Sequence, residues 1–155
     1  MKLSGNMVLI TGGTSGIGLA LAERLLKLGN EVVVCARSID GLMAVKVKLP
    51  SIHTIHADVS SEVSRKKMVD DIVTKFPKVN VLINNAGIQR KVQITDIEPW
   101  TEVQQEIAIN FEAPIHLSML MIPHLIEKEN AAILNVTSGL AFTPLANVPV
   151  YSATK

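Results

Sequence analysis

Eight residues near the N-terminus, Thr11-Gly12-Gly13-Thr14-Ser15-Gly16-Ile17-Gly18, decide how this 155-residue chain folds. They follow a short apolar run at residues 7–10 and precede a segment whose apolar side chains recur at helical spacing. Glycines permit a tight turn and a close approach to the backbone, and the opening helix presents unpaired N–H groups to a pyrophosphate. This order of strand, glycine-rich turn and helix is typical of a dinucleotide-binding unit, although a turn without a ligand remains possible from the residues alone.

The rest of the chain repeats the alternation of strand and helix. Apolar runs predict strands near residues 7–10, 32–35, 52–57, 79–83 and 132–136. Periodic segments predict helices over residues 16–28, 39–49, from Ser60 or Ser61 to about residue 75, and over 100–129. Such alternation specifies right-handed βαβ units. We therefore expect an α/β fold, a Rossmann-type doubly wound parallel sheet of five strands with helices on both faces, binding its ligand beyond the carboxyl ends of the strands.

The composition is that of a globular domain, because 48% hydrophobic residues are enough for a core and exclude a disordered tail. Fifteen Lys and Arg residues balance fourteen Asp and Glu, so no basic nucleic-acid surface is indicated. The N-terminus lacks a signal-peptide pattern, and no apolar run reaches the roughly 20 residues of a membrane span. With the single cysteine, Cys35, these features predict a cytoplasmic protein without nucleic-acid or membrane partners.

The end of the second predicted strand indicates which dinucleotide is bound. Sites for NAD place an acidic residue there to hold the ribose hydroxyls, whereas an arginine accommodates the additional phosphate of NADP. This chain has no acid at that position but has Arg37, with Ser38 beside it as a second donor. The residues favour NADP(H) over NAD(H), and a solvated loop arginine is the alternative interpretation.

Further motifs follow in a fixed order: Asp58-Val59, Asn84-Asn85-Ala86-Gly87, Asn110, Ser138 and Tyr151-Ser152-Ala153-Thr154-Lys155. With the glycine-rich turn, their order and spacing resemble the short-chain dehydrogenase/reductase family over the whole chain. Each motif is modest alone, but the ordered set is specific. The resemblance implies an oxidoreductase that transfers hydride between NADP(H) and a small carbonyl or alcohol substrate.

The same resemblance implies roles for individual residues in cofactor binding. Asp58 would bond the adenine ring, Ile17 would pack near the nicotinamide, and Asn84 would mainly support its strand. The expected cofactor-binding residues are Gly12, Thr14, Ser15, Gly16, Ile17, Gly18, Arg37, Ser38, Asp58, Val59, Asn85, Ala86, Gly87, Tyr151 and Lys155.

By resemblance, Asn110, Ser138, Tyr151 and Lys155 form the catalytic group, and their chemistry suits the reaction. Tyr151 would give a proton to the substrate oxygen or take one from it, and Ser138 would hold and polarise that oxygen. A free tyrosine has a pKa near 10 and is a poor base at neutral pH, so a nearby ammonium is needed to favour the phenolate. Lys155 follows Tyr151 by four residues, which puts both on one face of a helix.

The predicted helix over residues 100–129 carries two apolar stripes. Asn110 lies in the first, so its amide needs partners, and we interpret it as the anchor of a water leading to Lys155 or as a satisfied core asparagine. The second stripe makes the helix apolar nearly all round, which predicts a homo-oligomer interface. It consists of Phe111, Ile115, Ile122 and Ile126.

Other classes of function are disfavoured. The four histidines have no cysteine or carboxylate set at ligand spacing, so we expect no metal site. Ser138 lacks the Gly-x-Ser-x-Gly elbow of a hydrolase.

Members of the resembled family continue well beyond their Tyr-x-x-x-Lys segment, so we expect residues 1–155 to form a single dinucleotide-binding domain, incomplete at its C-terminus. The alternative function is a dinucleotide-binding domain or fragment without catalysis.

Overall fold

The computed structural model describes residues 2–91 and 100–155, in which strands and helices alternate. The predicted strands and the first three predicted helices are confirmed to within about two residues. The elements are β1 (Met7–Thr11), α1 (Gly16–Lys27), β2 (Glu31–Ala36), α2 (Ile39–Lys48), β3 (His53–His56), α3 (Glu62–Lys75), β4 (Val79–Asn84), α4 (Trp100–Ile107), a π-helical segment (Ala108–Glu112), α5 (Ala113–Leu125), β5 (Ala132–Asn135), a 3₁₀ turn (Gly139–Ala141) and α6 (Pro149–Thr154).

The five strands form one parallel sheet in the order β3-β2-β1-β4-β5. Ile10 in the central strand β1 lies beside Val34 of β2 and Ile83 of β4. The chain reverses its direction of travel across the sheet between β1 and β4, which leaves a crevice at the carboxyl ends of these strands. The doubly wound parallel sheet is thereby confirmed.

Successive side chains of each strand enter two separate apolar cores. Leu9 of β1 packs on one face with residues of α3 and α5, among them Ile72 and Leu117. Ile10, the next residue, packs on the other face with residues of α1 and α2, among them Leu25. Because both faces are covered, the central strands are apolar along their length rather than alternating.

The helix expected over residues 100–129 is not one regular helix, which corrects that prediction. α4 ends at Ile107, one wider π-helical turn follows, and α5 ends at Leu125. The cause is Pro114, whose ring would clash in a regular helix with the carbonyl of Asn110 and which has no N–H to donate to it. The wider turn, closed by the Ala113 N–H donating to the Ala108 carbonyl, relieves this clash.

The two stripes of this helix have different environments. Leu117 and Met121 of the first stripe are buried, whereas the second stripe is exposed: Phe111, Ile115, Ile122 and Ile126. Within the described residues, none of the helices combines the length and apolar character that crossing a membrane requires.

One charged side chain of α4 is fully buried. Glu106 is 0% exposed, and no group among residues 2–91 and 100–155 donates a hydrogen bond to its carboxylate oxygens. Burial raises the pKa of the Glu106 carboxyl above its usual range, and the opposing effect of the nearby Arg90 charge is smaller. The folded chain therefore holds a proton on Glu106 to higher pH than the unfolded chain does.

We expect Glu106→Gln to stabilise the chain increasingly as the pH rises. The folded pKa lies above the ordinary value of 4.5, so the wild type loses stability as the pH rises from there through the folded pKa. A neutral amide of the same shape has no such loss. The midpoint of thermal unfolding, followed by circular dichroism across the acid-to-neutral range, measures the difference.

The matched control is Glu112→Gln, which removes an exposed carboxylate from the adjoining π-helical segment. Its unfolding midpoint should track the wild type at every pH. A Glu106→Gln variant whose advantage over the wild type stayed constant with pH would contradict the argument.

Candidate functional site

A groove of about 560 Å³ opens at the carboxyl ends of the parallel strands. It lies at the crevice between β1 and β4, where doubly wound sheets bind ligands. All of the expected cofactor-binding residues line it, from Gly12 in the glycine-rich turn to Tyr151 and Lys155 on α6. The structure thus brings together side chains that are up to 143 positions apart in the sequence, from residue 12 to residue 155.

The glycine-rich turn leaves its backbone open to the groove. Gly12 and Gly16 have φ angles of 67° and 52°, in the left-handed region that favours glycine. A Cβ atom on Gly18 would lie 2.3 Å from the carbonyl oxygen of Gly12, so α1 approaches the turn this closely only with glycine there. Ser15 begins α1 without a side-chain cap, and the first turn holds no acidic residue. The N–H groups of that turn remain available to an anion.

Thr11 and Asn85 connect the ends of the two central strands. The Thr11 hydroxyl oxygen accepts hydrogen bonds from the backbone N–H groups of Asn85 and Ala86, at 3.0 and 2.9 Å. In return, Nδ2 of Asn85 donates to the carbonyl oxygens of Thr11 and Gly12, at 2.9 and 3.2 Å. The segment after β4 therefore supports the underside of the glycine-rich turn.

Asn84, expected to support its strand, connects β4 to β5. Its Nδ2 donates to Oδ1 of Asn135 at 2.8 Å, beside the register pair that these two residues form in the sheet. Asn84 is buried and does not line the groove, which agrees with a structural role.

The end of β2 presents Arg37 and Ser38 to the groove. Arg37 is exposed, and its backbone carbonyl accepts a hydrogen bond from Nε2 of His56 at 3.1 Å. The described residues give its guanidinium no carboxylate partner. Ser38 caps α2, because its hydroxyl oxygen accepts from the Gly41 N–H at 3.0 Å, which leaves the hydroxyl hydrogen to donate. Both side chains can therefore donate to a phosphate.

The end of β3 contributes Asp58 and Val59 to the groove. Oδ1 of Asp58 accepts hydrogen bonds from the backbone and the hydroxyl of Ser60, at 2.9 and 2.7 Å. The Val59 carbonyl accepts from Nη1 of the buried Arg65 at 2.6 Å, and Nε of Arg65 donates to Nδ1 of His116 on α5 at 2.9 Å. Two helices thus fix this side of the groove.

Helix α6 places Tyr151 and Lys155 in the groove one turn apart. Nζ of Lys155 donates to the Val136 carbonyl at 3.1 Å, and burial lowers the pKa of the Lys155 ammonium. A Cβ atom on Gly87 would lie 2.9 Å from this Nζ and 3.4 Å from Oδ1 of Asn110. Glycine at position 87 therefore makes the space that the lysine occupies.

Asn110 is buried beside the groove rather than in its lining. Its Oδ1 accepts from the Ile88 N–H at 2.9 Å, and its Nδ2 donates to the Ile88 carbonyl at 2.8 Å and to Oγ1 of Thr154 at 3.2 Å. Protein groups thus supply the partners that a buried amide needs. A water between Asn110 and Lys155 stays a prediction.

Ser138 directly follows Val136 and Thr137, which line the groove, and it begins the 3₁₀ turn that packs against α6. It does not line the groove, and its hydroxyl oxygen accepts from the Leu140 N–H at 3.2 Å to cap the 3₁₀ turn. Tyr151, Lys155 and Asn110 are linked through α6 and Gly87. The role of Ser138 in holding a substrate oxygen stays a prediction.

Several groove residues were not predicted. Ile88 and Gln89 extend the Asn85-Ala86-Gly87 segment, and Val136 and Thr137 follow β5. The rule that ligands bind beyond strand ends points to these residues, since they lie at or after the carboxyl ends of the two strands predicted at residues 79–83 and 132–136. Arg65 carried no local signal, because a basic residue in the exposed-looking α3 becomes buried only through packing against α5.

The described part of the chain contains no group of three or more His, Cys, Asp or Glu side chains that could hold a metal ion. Cys35 is buried, and burial raises the pKa of its thiol to about 12. A thiol of this kind is not a nucleophile.

Comparison with known proteins points to one family. A family model described as short chain dehydrogenase matches residues 6–155. The chain is 51% identical to the uncharacterized oxidoreductase DltE of Bacillus subtilis, covering 100% of this chain and 62% of that protein. It is 34% identical to 11-beta-hydroxysteroid dehydrogenase-like 2 of Arabidopsis thaliana, covering 99% of this chain and 51% of that protein. The chain therefore spans less than two thirds of these relatives.

Solved structures have the same fold. A metagenomic short-chain oxidoreductase in complex with NADP superposes with a TM-score of 0.90 at 29% identity, covering 99% of this chain and 71% of that one. The 3-ketoacyl-(acyl-carrier-protein) reductase of Brucella melitensis, complexed with NADH, superposes with a TM-score of 0.89 at 33% identity, covering 99% of this chain and 65% of that one.

Proposed function

The chain belongs to the short chain dehydrogenase family, and we propose that it is the cofactor-binding portion of an NADP-dependent oxidoreductase. One observation carries this proposal: a single groove joins the glycine-rich turn, Arg37, and the Tyr151–Lys155 pair. The substrate is a small carbonyl or alcohol compound. A cytoplasmic location rests on the single cysteine and stays a prediction.

The groove residues fit a nicotinamide dinucleotide. Uncapped N–H groups at the start of α1 are suited to the pyrophosphate, which the open backbone of Gly16 lets approach. Arg37 and Ser38 can donate to the additional phosphate of NADP, and Asp58 keeps one carboxylate oxygen for the adenine ring.

The groove also holds the groups that move a proton. When bound, the nicotinamide supplies or accepts the hydride. Tyr151 would donate a proton to the substrate oxygen in the reducing direction and remove it in the oxidising direction. Lys155 would stabilise the phenolate of Tyr151 and bond the nicotinamide ribose. Ser138 would polarise the substrate oxygen through its hydroxyl hydrogen, which the Leu140 contact leaves to donate.

We expect the chain to bind NADPH more tightly than NADH, and Arg37→Asp to weaken NADPH binding about 10- to 100-fold, as expected for loss of a charge-assisted contact. Binding of NADH should change little. Isothermal titration calorimetry on the wild type and the variant measures both affinities. Arg24→Asp, which makes the same charge change on α1 outside the groove, is the matched control. Equal affinity of the wild type for the two cofactors would reject the assignment of Arg37.

We expect Tyr151→Phe to lower kcat about 10²- to 10⁴-fold, because proton transfer is lost while the ring stays in place. Its dissociation constant for NADPH should remain that of the wild type. NADPH oxidation with 4-nitrobenzaldehyde as a carbonyl probe, followed by absorbance, gives kcat. A wild type that binds NADPH but turns over neither this probe nor a panel of ketones would favour the alternative, a binding domain without catalysis.

We further propose that the chain forms a homo-oligomer through the exposed stripe Phe111, Ile115, Ile122 and Ile126. An apolar row on one helix face is costly to leave in water. Light scattering should give a multiple of 16.8 kDa for the wild type and a smaller mass for Ile115→Glu. The control is Val63→Glu, an equally apolar exposed position on α3. A monomeric wild type would refute this assembly.

A further inference from the structure

Thr154 lies between Tyr151 and Lys155 in the sequence and carries a contact that the proposed reaction does not use. Its Oγ1 accepts a hydrogen bond from Nδ2 of Asn110 at 3.2 Å and donates to the Val150 carbonyl at 2.9 Å. The first bond joins α6 to the π-helical segment, and the second joins the hydroxyl to its own helix. The hydroxyl therefore connects the two elements that carry the predicted catalytic side chains.

Among the described residues, Thr154 is the acceptor for the N–H of Asn110 that does not bond to Ile88. The Oδ1 and the second N–H of Asn110 are occupied by the backbone of Ile88, and the side chain is only 4% exposed. An N–H group that loses its acceptor in such a place cannot turn to bulk water, so the contact is costly to break. Thr154 thus accepts the remaining hydrogen bond that the Asn110 amide can donate.

The geometry of α6 explains how the hydrogen bond between Asn110 and Thr154 can affect Tyr151 and Lys155. Residues 151, 154 and 155 share one side of the helix, at spacings of three and four. The helix has six residues, and a helix this short depends on tertiary contacts for its orientation. The hydrogen bond that Nδ2 of the buried Asn110 donates to Oγ1 of Thr154 is therefore placed to constrain the rotation of α6 about its axis.

We propose that Thr154 is a positioning residue: through Asn110 it fixes the rotation of α6 that directs Tyr151 and Lys155 into the groove. The inference rests on the proposed function for the role of those two residues. It predicts that removing the hydroxyl changes the position of the Tyr151 ring while leaving the phosphate-binding turn, and hence most of the NADPH affinity, intact.

The composition offers a direct readout, because Tyr151 is the single tyrosine of the chain. Incorporation of 3-fluorotyrosine gives one ¹⁹F resonance, which reports the surroundings of that ring. Thr154→Val, which keeps the shape and removes the hydroxyl, should shift or split this resonance with and without NADPH. Thr154→Ser, which restores the hydroxyl, should return it to the wild-type position.

Ser152 supplies the matched control. Its hydroxyl is also buried in α6, but it donates to the Val148 carbonyl within the same stretch of chain and not to Asn110. Ser152→Ala should therefore leave the resonance in place. If Thr154→Val does not fold, as judged by circular dichroism, Thr154→Ala replaces it, because alanine favours the helix and removes the same hydroxyl.

Turnover gives a second, separate readout. With 4-nitrobenzaldehyde as the probe, kcat of Thr154→Val should fall about 10- to 100-fold, because a displacement of about 1 Å has that effect on a reacting pair. The dissociation constant of NADPH, measured by calorimetry, should stay within about twofold, since Thr154 lies away from the anion-binding turn.

The outcomes separate this inference from the proposed function. A wild type that fails to bind NADPH contradicts the proposed function and leaves the ¹⁹F comparison to decide the role of Thr154. An unchanged resonance in Thr154→Val, or an equal shift in Ser152→Ala, overturns the inference even where NADPH binds and turnover proceeds.

Discussion

The reciprocal hydrogen bonds between Thr11 and Asn85 are the interaction on which the groove depends. A glycine-rich turn is conformationally free, and the entropy lost in ordering it must be offset by contacts. The Thr11 hydroxyl and the Asn85 amide supply four of them, all between backbone or short side chains at the ends of β1 and β4. Because Asn85 holds the turn in this way, the N–H groups that face the groove are oriented before a ligand binds. This reduces the entropy cost of binding.

The other groove residues are carried by segments that follow different strands of the parallel sheet. Arg37 follows β2, Asp58 follows β3, Gly87 follows β4, and α6 packs behind Gly87 and Asn110. Each of these residues follows the end of a strand closely, so strand register fixes where each side chain emerges. The ends of the strands therefore form a rigid base for the groove. Helices shape its sides, where Arg65 and Asn110 form their hydrogen bonds.

Much of this arrangement was predictable because it depends on local patterns. Continuous β-branched runs such as residues 32–35 specify buried strands, and the glycine spacing after β1 specifies the turn. The order of strands follows from the rules of βαβ connection. What the sequence could not show depends on contacts between distant residues. Pro114 inside the helix predicted over residues 100–129 was a visible sign of an interruption, although not of its π-helical form. The burial of Glu106 and Arg65 depends on packing against other helices, and the Asn110–Thr154 bond joins residues 44 apart.

The π-helical turn has a consequence for how the helix through residues 100–125 is compared or redesigned. An extra residue in one turn rotates everything after it by about 100° relative to a regular α-helix. α5 is consequently rotated from the position that a regular continuation of α4 would give it, with Leu117 and Met121 buried and Ile115 and Ile122 exposed. An alignment or a design that treats residues 100–125 as one continuous helix would place every side chain beyond Glu112 in the wrong direction. α4 and α5 are best regarded as two separate helices with a fixed angular offset, so that a substitution in one need not change the rotation of the other.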